Sequence, residues 1–325
     1  MADVAVVGGG ISGIACARAL ADAGLTVDVL DRGQRLGGRL AAQTLRDTGT
    51  AYDGRQVDVG AAYFTCDDPD FVEVVTDWVE RGRARPWTDT FHVADGSGLL
   101  GTKLGPMRYA APRGLRSLVE DLAVHLPSDL VSIAHPVDVE DVDVSAGGVA
   151  IAGTSYRAVA LCGPDPQMAR LVPGYAALAN APTWEPVLAL TAVYDSATWP
   201  DVDAVFVNDD PVLSFIADDG RRRGDDAPVL VAHSTPVLAA GHLDDPVTAA
   251  PVMLASLLRV LARSEPTWFA VKRWTYARPV SARADLCHFD GTIGLAGDSW
   301  AGGPRTQAAW VSGHALGLRM AAELA

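Results

Sequence analysis

The start of the chain limits its fold more than any other stretch. Val4-Ala5-Val6-Val7 is a short apolar run of the kind a buried parallel strand shows. Gly8 to Gly13 follows as a glycine-rich turn, then Ile14 to Ala23 carries Ile14, Ala17, Leu20 and Ala21 at helical spacing and ends at Gly24. Thr26 to Leu30 is a second β-rich run, closed by Asp31. This is a βαβ unit, which implies a parallel sheet with helical crossovers. The spacing Gly8-x-Gly10-x-x-Gly13 gives each glycine a task. Gly8 permits the tight turn, Gly10 lets the backbone approach a pyrophosphate, and Gly13 allows close helix–strand packing. Ile11 and Ser12 open the helix, whose N-terminus presents unpaired N–H groups to phosphates. Asp31 stands about 20 residues on, where an acid accepts from a ribose 2′-hydroxyl and repels a 2′-phosphate. Glycines alone would fit a plain turn; strand, helix and acid together point to a dinucleotide other than NADP.

Charge narrows the partners. The 325 residues hold 26 Lys and Arg against 40 Asp and Glu, a net −14. That sign opposes nucleic acid and an anionic membrane surface. Only Lys103 and Lys272 are lysines, so lysine chemistry has few possible sites. Cys16, Cys66, Cys162 and Cys287 form no C-x-x-C pair and no disulfide framework, and no metal-ligand spacing occurs. The first apolar run is cut by Gly8-Gly9-Gly10, unlike a signal peptide, and no apolar stretch of spanning length occurs. A cytoplasmic protein is expected, its oligomeric state open.

Further along, Phe71–Glu80 and Leu115–Leu126 carry helical periodicity, as does Val252–Leu261. Val137–Val144 alternates apolar and acidic residues as a half-exposed strand does. Ala158–Leu161, Val187–Tyr194, Val229–His233 and Ala270–Tyr276 read as strands. The chain closes with the strand Ile293–Ala296, a glycine-rich loop and a helix over about Gln307–Leu324. Asp67-Asp68 and Asp225-Asp226 read as solvated loops, and His233, His288 and His314 as ordinary hydrogen-bonded histidines.

Two more segments carry chemistry. Arg35-Leu36-Gly37-Gly38-Arg39 follows Asp31 and suits a loop lying against a pyrophosphate and a flat ring, with Gly38 allowing approach and Arg39 offsetting charge. Near the other end, Gly294-Leu295-Ala296-Gly297-Asp298 precedes Gly302-Gly303-Pro304-Arg305 and Trp310-Val311-Ser312-Gly313, where a second helix start and a carboxylate could meet a ribityl chain. With Asp58-x-Gly60-Ala61, these motifs resemble the FAD-dependent amine oxidase superfamily, most closely its short bacterial renalase-like branch. The resemblance is strong over 1–65 and 290–325, moderate over 108–165 and faint over 170–285.

That resemblance implies an α/β flavoprotein of the two-domain amine oxidase and p-hydroxybenzoate hydroxylase type. A Rossmann-type FAD-binding domain (1–68, 106–168 and 284–325) would be interleaved with a smaller α+β substrate domain (69–105 and 169–283). It implies FAD held noncovalently by Gly8, Gly10, Ile11, Ser12, Gly13, Asp31, Arg32, Gly38, Arg39, Gly297 and Asp298, since no cysteine sits where covalent attachment occurs. Val137 would meet the adenine through its backbone, Gly60-Ala61 would lie beside the flavin ring, and the Thr306-Gln307 helix start would face its pyrimidine end. Many monoamine oxidases carry a flavin-side lysine; the matching stretch, Thr183-Trp184-Glu185-Pro186-Val187, has none.

The implied reaction is hydride transfer from a C–H beside nitrogen to flavin N5, with O2 as acceptor giving H2O2. Isomeric dihydro-NAD(P) is the favoured small-molecule substrate, against an amine or amino-acid oxidase, a biosynthetic desaturase, or a noncatalytic FAD-binding protein. Trp274 and Tyr276 share a strand face with Lys272, and Tyr63 follows Gly60-Ala61; each either lines the substrate cavity or packs in a core. Trp300 and Arg305 flank the glycine-rich loop as candidate walls, Arg305 alternatively neutralising phosphate.

Overall fold

A computed structural model describes residues 2–145 and 147–324. Val4–Val7, apolar and fully enclosed, sits at the centre of a six-stranded sheet. It pairs in parallel with Ala158–Cys162 on one side and Val27–Leu30 on the other. Val131–Ala134 extends one edge and Ile293–Ala296 the other, both parallel, and His288–Phe289 closes the sheet antiparallel. Strands buried on both faces need apolar runs, which is how this sheet reads in sequence. The helices Ile11–Asp22 and Thr306–Leu324 lie against each other on one face. Their approach is tight: a Cβ on Gly313 would stand 1.9 Å from the Ser12 carbonyl oxygen, and one on Gly317 2.6 Å from that of Cys16.

A second, seven-stranded sheet runs Trp268–Pro279, Trp184–Val193, Val229–Ser234, Leu213–Asp218, Ala204–Val207, Arg85–Asp95, Gly98–Ala110. Neighbours are antiparallel except Ala204–Val207 with Arg85–Asp95. Strand alternation gives the sheet two faces. Leu230 and Ala232 turn outward beneath the helix Ala250–Val260. Val229 and Val231 turn inward onto Leu45, Val57 and Val59 of the segment after the first βαβ unit. Among the described residues no helix is long and apolar enough to cross a membrane.

Three expectations change. The helix Pro69–Glu80, expected in the substrate half, buries Phe71, Val75 and Trp78 in the core beneath the parallel sheet. Residues 137–142 form no strand; Val139 and Val142 are buried through a loop packed on the far side of that sheet, and only Asp143–Ser145 pairs. Asp68 is no free loop acid, because its carboxylate caps the following helix by accepting from Phe71 N at 3.1 Å.

Candidate functional site

The three motif glycines stand in different surroundings. Gly8 has φ 112°, and a Cβ there would lie 2.4 Å from the Cys162 carbonyl oxygen. A Cβ on Gly13 would lie 1.8 Å from the Gly8 carbonyl oxygen. The fold itself requires both. Gly10 has φ −82° and ψ −179°, extended backbone open to any residue, and a Cβ on it meets no protein atom within 4 Å. Nothing inside the protein requires glycine there. Gly10 caps the first helix, whose opening N–H groups at Ile11, Ser12 and Gly13 lack intrahelical acceptors. Ser12 Oγ is buried with no hydrogen-bond partner among the described residues.

The neighbouring loops close on this turn. Gly37 N donates to the Gly9 carbonyl at 2.9 Å, and a Cβ on Gly38 would come within 3.5 Å of Gly10 Cα. Asp31 ties the turn together: Oδ2 accepts from Gly9 N at 2.6 Å and Oδ1 from Gly33 N at 2.7 Å. Each oxygen keeps a further lone pair. Val137 N donates to the Asp31 carbonyl at 2.8 Å, so only its own carbonyl is left for an outside partner. Arg32 is exposed.

A second cluster lies where the two sheets meet. Arg39 and Asp298 form a two-pronged ion pair, Nη1 to Oδ2 at 2.7 Å and Nη2 to Oδ1 at 2.6 Å. The guanidinium lies 4.9 Å above the Trp184 ring. Ala61 N donates to the Arg39 carbonyl at 2.9 Å, and a Cβ on Gly60 would stand 2.0 Å from that oxygen. Gly297, at φ 145°, donates its N–H to Ser312 Oγ at 3.0 Å. Arg39, Gly60, Ala61, Gly297 and Asp298 therefore gather at the sheet junction.

The last helix begins at Thr306, but Gln307 reaches the other way: Oε1 accepts from Asp67 N at 2.6 Å and Asp68 N at 3.1 Å. Arg305 makes a surface pair with Asp67 at 3.4 Å. Trp300 is packed beneath the Arg283 guanidinium, 4.2 Å from it, within the core on the far side of the parallel sheet.

On the inner face of the seven-stranded sheet, Trp274 Nε1 donates to the Val59 carbonyl at 2.6 Å, fixing the ring between the halves. Lys272 pairs opposite Ala189 and is exposed; Tyr276 is half-buried further along the same face. Tyr63 enters an aromatic cluster, its ring 5.2 Å from Phe91 and 6.1 Å from Phe215.

Sequence reasoning missed what lies beneath. The run Asp219-Gly220-Arg221-Arg222-Arg223 looks like a solvated charge cluster, yet Asp219 and Arg222 are fully buried and Arg223 is 6% exposed. Arg223 Nε donates to Asp219 at 3.0 Å, Arg55 Nη2 to the same carboxylate at 2.8 Å, and Arg222 pairs with its other oxygen. Arg222 also donates to the carbonyls of Ala62, at 2.9 Å, and Asp58, at 3.3 Å. It thereby fixes the Asp58–Ala62 backbone that carries Gly60 and Ala61. The signal in sequence was the i, i+3, i+4 spacing of Asp219, Arg222 and Arg223. Burial raises the Asp219 carboxyl, but the attraction of Arg223, Arg222 and Arg55 outweighs it and holds the group well below its ordinary value. For Asp58, 3.2 Å from Arg223, burial wins and the carboxyl is pushed up.

His233 was expected to be hydrogen-bonded, but its Nε2 has no partner among the described residues. Burial, then the charges of Arg222 and Arg278, push it down to about 4.

Comparison with known proteins identifies the frame. The family description "NAD(P)-binding Rossmann-like domain" matches residues 6–78. The structure superimposes on cyclohexylamine oxidase from Brevibacterium oxydans with TM-score 0.76, covering 99% of each chain at 16% identity. Putrescine oxidase bound to putrescine gives 0.72, with 99% of this chain and 98% of that one, at 17% identity. The chain shares the fold of these two solved oxidases. Sequence likeness to known oxidases is short. Human amine oxidase [flavin-containing] B is 51% identical over 61 residues, 19% of this chain and 11% of that protein. (S)-6-hydroxynicotine oxidase of Paenarthrobacter nicotinovorans is 44% identical over 63 residues, 14% of its length. In this fold the segment between Arg39 and Tyr63 is the seam where both sheets meet.

Proposed function

We propose that this chain is an FAD-dependent oxidoreductase that oxidises a small nitrogen-containing substrate in the seam between its sheets. The observation that carries the reading is Gly10. Its two partner glycines are required by backbone packing; Gly10 is required by nothing in the protein. A pyrophosphate at the helix N-terminus supplies the reason. The orphaned Ser12 hydroxyl beside it fits the same group.

Bound there noncovalently, FAD would supply the two-electron chemistry, taking a hydride at N5 from a C–H beside nitrogen and passing the electrons to O2 as H2O2. The chain's own residues bind, orient and exclude water. Gly8, Gly10, Ile11, Ser12, Gly13 and Gly38 would cradle the pyrophosphate, with Arg32 offsetting its charge. Asp31 would accept from the ribose hydroxyls, and the Val137 carbonyl would face the adenine. Asp298, held rigid by Arg39, would accept from the ribityl chain, with Gly297 leaving room. Gly60 and Ala61 would lie along the ring, and the helix start at Thr306 and Gln307 would set positive potential near its pyrimidine end. Trp274, Tyr276 and Tyr63 would wall the pocket and keep it dry. Arg305 would stand at its rim.

Isomeric dihydro-NAD(P) is the proposed substrate, as in renalase-like enzymes. In support, the strand that opens the inner face begins with Trp184 under Arg39 and offers no lysine. Oxidation of an amine is the second reading, favoured by the local 51% identity with an amine oxidase. Oxygen uptake with 2- and 6-dihydronicotinamide isomers, run against a panel of amines, tests the choice. Turnover of the isomers alone supports the proposal; turnover of amines alone replaces it. Alanine at both Trp274 and Tyr276 should lower turnover, and unchanged rates would remove them from the pocket wall.

A further inference from the structure

Three arginines of the described residues are more than nine-tenths buried: Arg108, Arg222 and Arg223. Two of them share the Asp219 carboxylate. Arg108, 5% exposed, has no carboxylate within ion-pair distance among the described residues. Its one hydrogen bond runs from Nη1 to the Asp89 carbonyl at 2.8 Å, while the Asp89 side chain turns to the Thr90 hydroxyl. Nε is shut off from water with no acceptor. A buried cation without a counterion is costly, and natural chains seldom keep one without use.

The guanidinium is nonetheless held in place. It lies 3.9 Å over the Phe91 ring, 5.7 Å from Tyr63 and 6.0 Å from Phe206. These faces offset part of the desolvation but leave the in-plane Nε–H without an acceptor. Gly105 makes room: a Cβ there would come within 2.7 Å of Nη2. Two further orphans border the same aromatic cluster. Trp87 Nε1 is buried without a partner 5.3 Å, ring to ring, from Phe91. His233 Nε2 is likewise unpartnered, its ring 5.8 Å from Phe215. Buried polar atoms are satisfied in the large majority of cases, so three orphans around one cluster call for a common cause.

We propose that Arg108 is the anion-recognition residue of the substrate pocket, binding the oxyanion of a substrate whose flat ring lies against the half-buried rings of Tyr63 and Phe206, with Trp87 and His233 turned to its polar edge. The substrate class is thus a ring-bearing carboxylate or phosphate. This deepens the proposed oxidoreductase reading and rests on it for the substrate's fate, but the subsite binds its anion whether or not oxygen uptake follows.

The test is isothermal titration of the FAD-loaded protein with two matched pairs: benzoate against benzamide, and nicotinamide mononucleotide against nicotinamide riboside. In at least one pair the anion should bind about tenfold tighter or more, and Arg108→Met should erase that preference. The benzoate pair marks a carboxylate substrate and the mononucleotide pair a phosphate, so the outcome also separates amino-acid-like from nucleotide substrates. Arg108→Met should melt no lower than the parent, since it removes an uncompensated charge; Arg108→Lys should keep a weakened preference. No anion preference in either pair overturns the proposal, as does a preference that survives Arg108→Met. A large fall in melting temperature for Arg108→Met overturns it too, because the residue is then structural. Failure of the flavin to load, seen as a missing band near about 450 nm, instead counts against the oxidoreductase reading.

Discussion

The two sheets treat polar groups in opposite ways. In the parallel sheet, polar side chains near the first helix are few, and Gly8 and Gly13 are dictated by atoms pressed against them, with Gly10 the exception. On the inner face of the antiparallel sheet, charge is buried outright. Asp219 gathers Arg55, Arg222 and Arg223 into a compensated cluster, while Arg108 stands alone among rings. Steric demand written into a glycine is local, so a short motif reveals it. Charge burial depends on partners about 160 positions away, such as Arg222 on Ala62, and no local pattern announces it.

The largest effect expected from this contrast lies in the turn. Gly13→Val drives a side chain into the Gly8 backbone, which cannot yield, and should cost at least about 3 kcal/mol, read as failure to fold or a steep loss in denaturant midpoint. Next comes the compensated cluster. Asp219→Ala leaves Arg222 buried without a carboxylate and Arg223 with Asp58 alone, and should cost about 3–5 kcal/mol by denaturant unfolding. Arg108→Met, equally buried, should cost nothing by the same measurement. Equal losses at both sites would erase the distinction between them. A smaller loss, about 1 kcal/mol, is expected for Trp274→Phe, which leaves the Val59 carbonyl without its indole donor.

The smallest effect is a slope with pH. His233 takes its proton near 6.5 in the unfolded chain but only near about 4 in the folded protein. The unfolded state therefore binds more protons in that window, and stability falls as pH drops through it. His233→Asn should flatten the melting temperature between those two values, and an unchanged slope would assign it to other groups.

Much of the half built on the parallel sheet could be read from the chain. The βαβ start, Asp31, the Arg39 loop and the closing strand and helix are all contiguous patterns whose periodicity or spacing is set within a dozen residues. The hairpin Arg85–Ala110 was not recognised, because three register shifts break its alternation and apolar residues such as Leu100 and Leu104 face solvent. Ala204–Val207 and Leu213–Asp218 are short and flanked by acids that read as loop. Val137–Val144 misled through the same alternation: its valines are buried by a loop crossing, not by pairing. Within the site, Arg39 and Asp298 were expected to act on separate parts of one ligand, whereas they hold each other. That pairing joins residues 259 positions apart and has no local signature.

The central claim, that Gly10 is glycine for the sake of a bound pyrophosphate, is tested most directly by Gly10→Val. Both proteins would be purified, their flavin measured near about 450 nm and their apo-forms melted. A colourless variant is expected, its apo-form losing no more than about 1 kcal/mol, the difference a helix cap makes. A yellow Gly10→Val protein would contradict it, and so would an apo-form that unfolds.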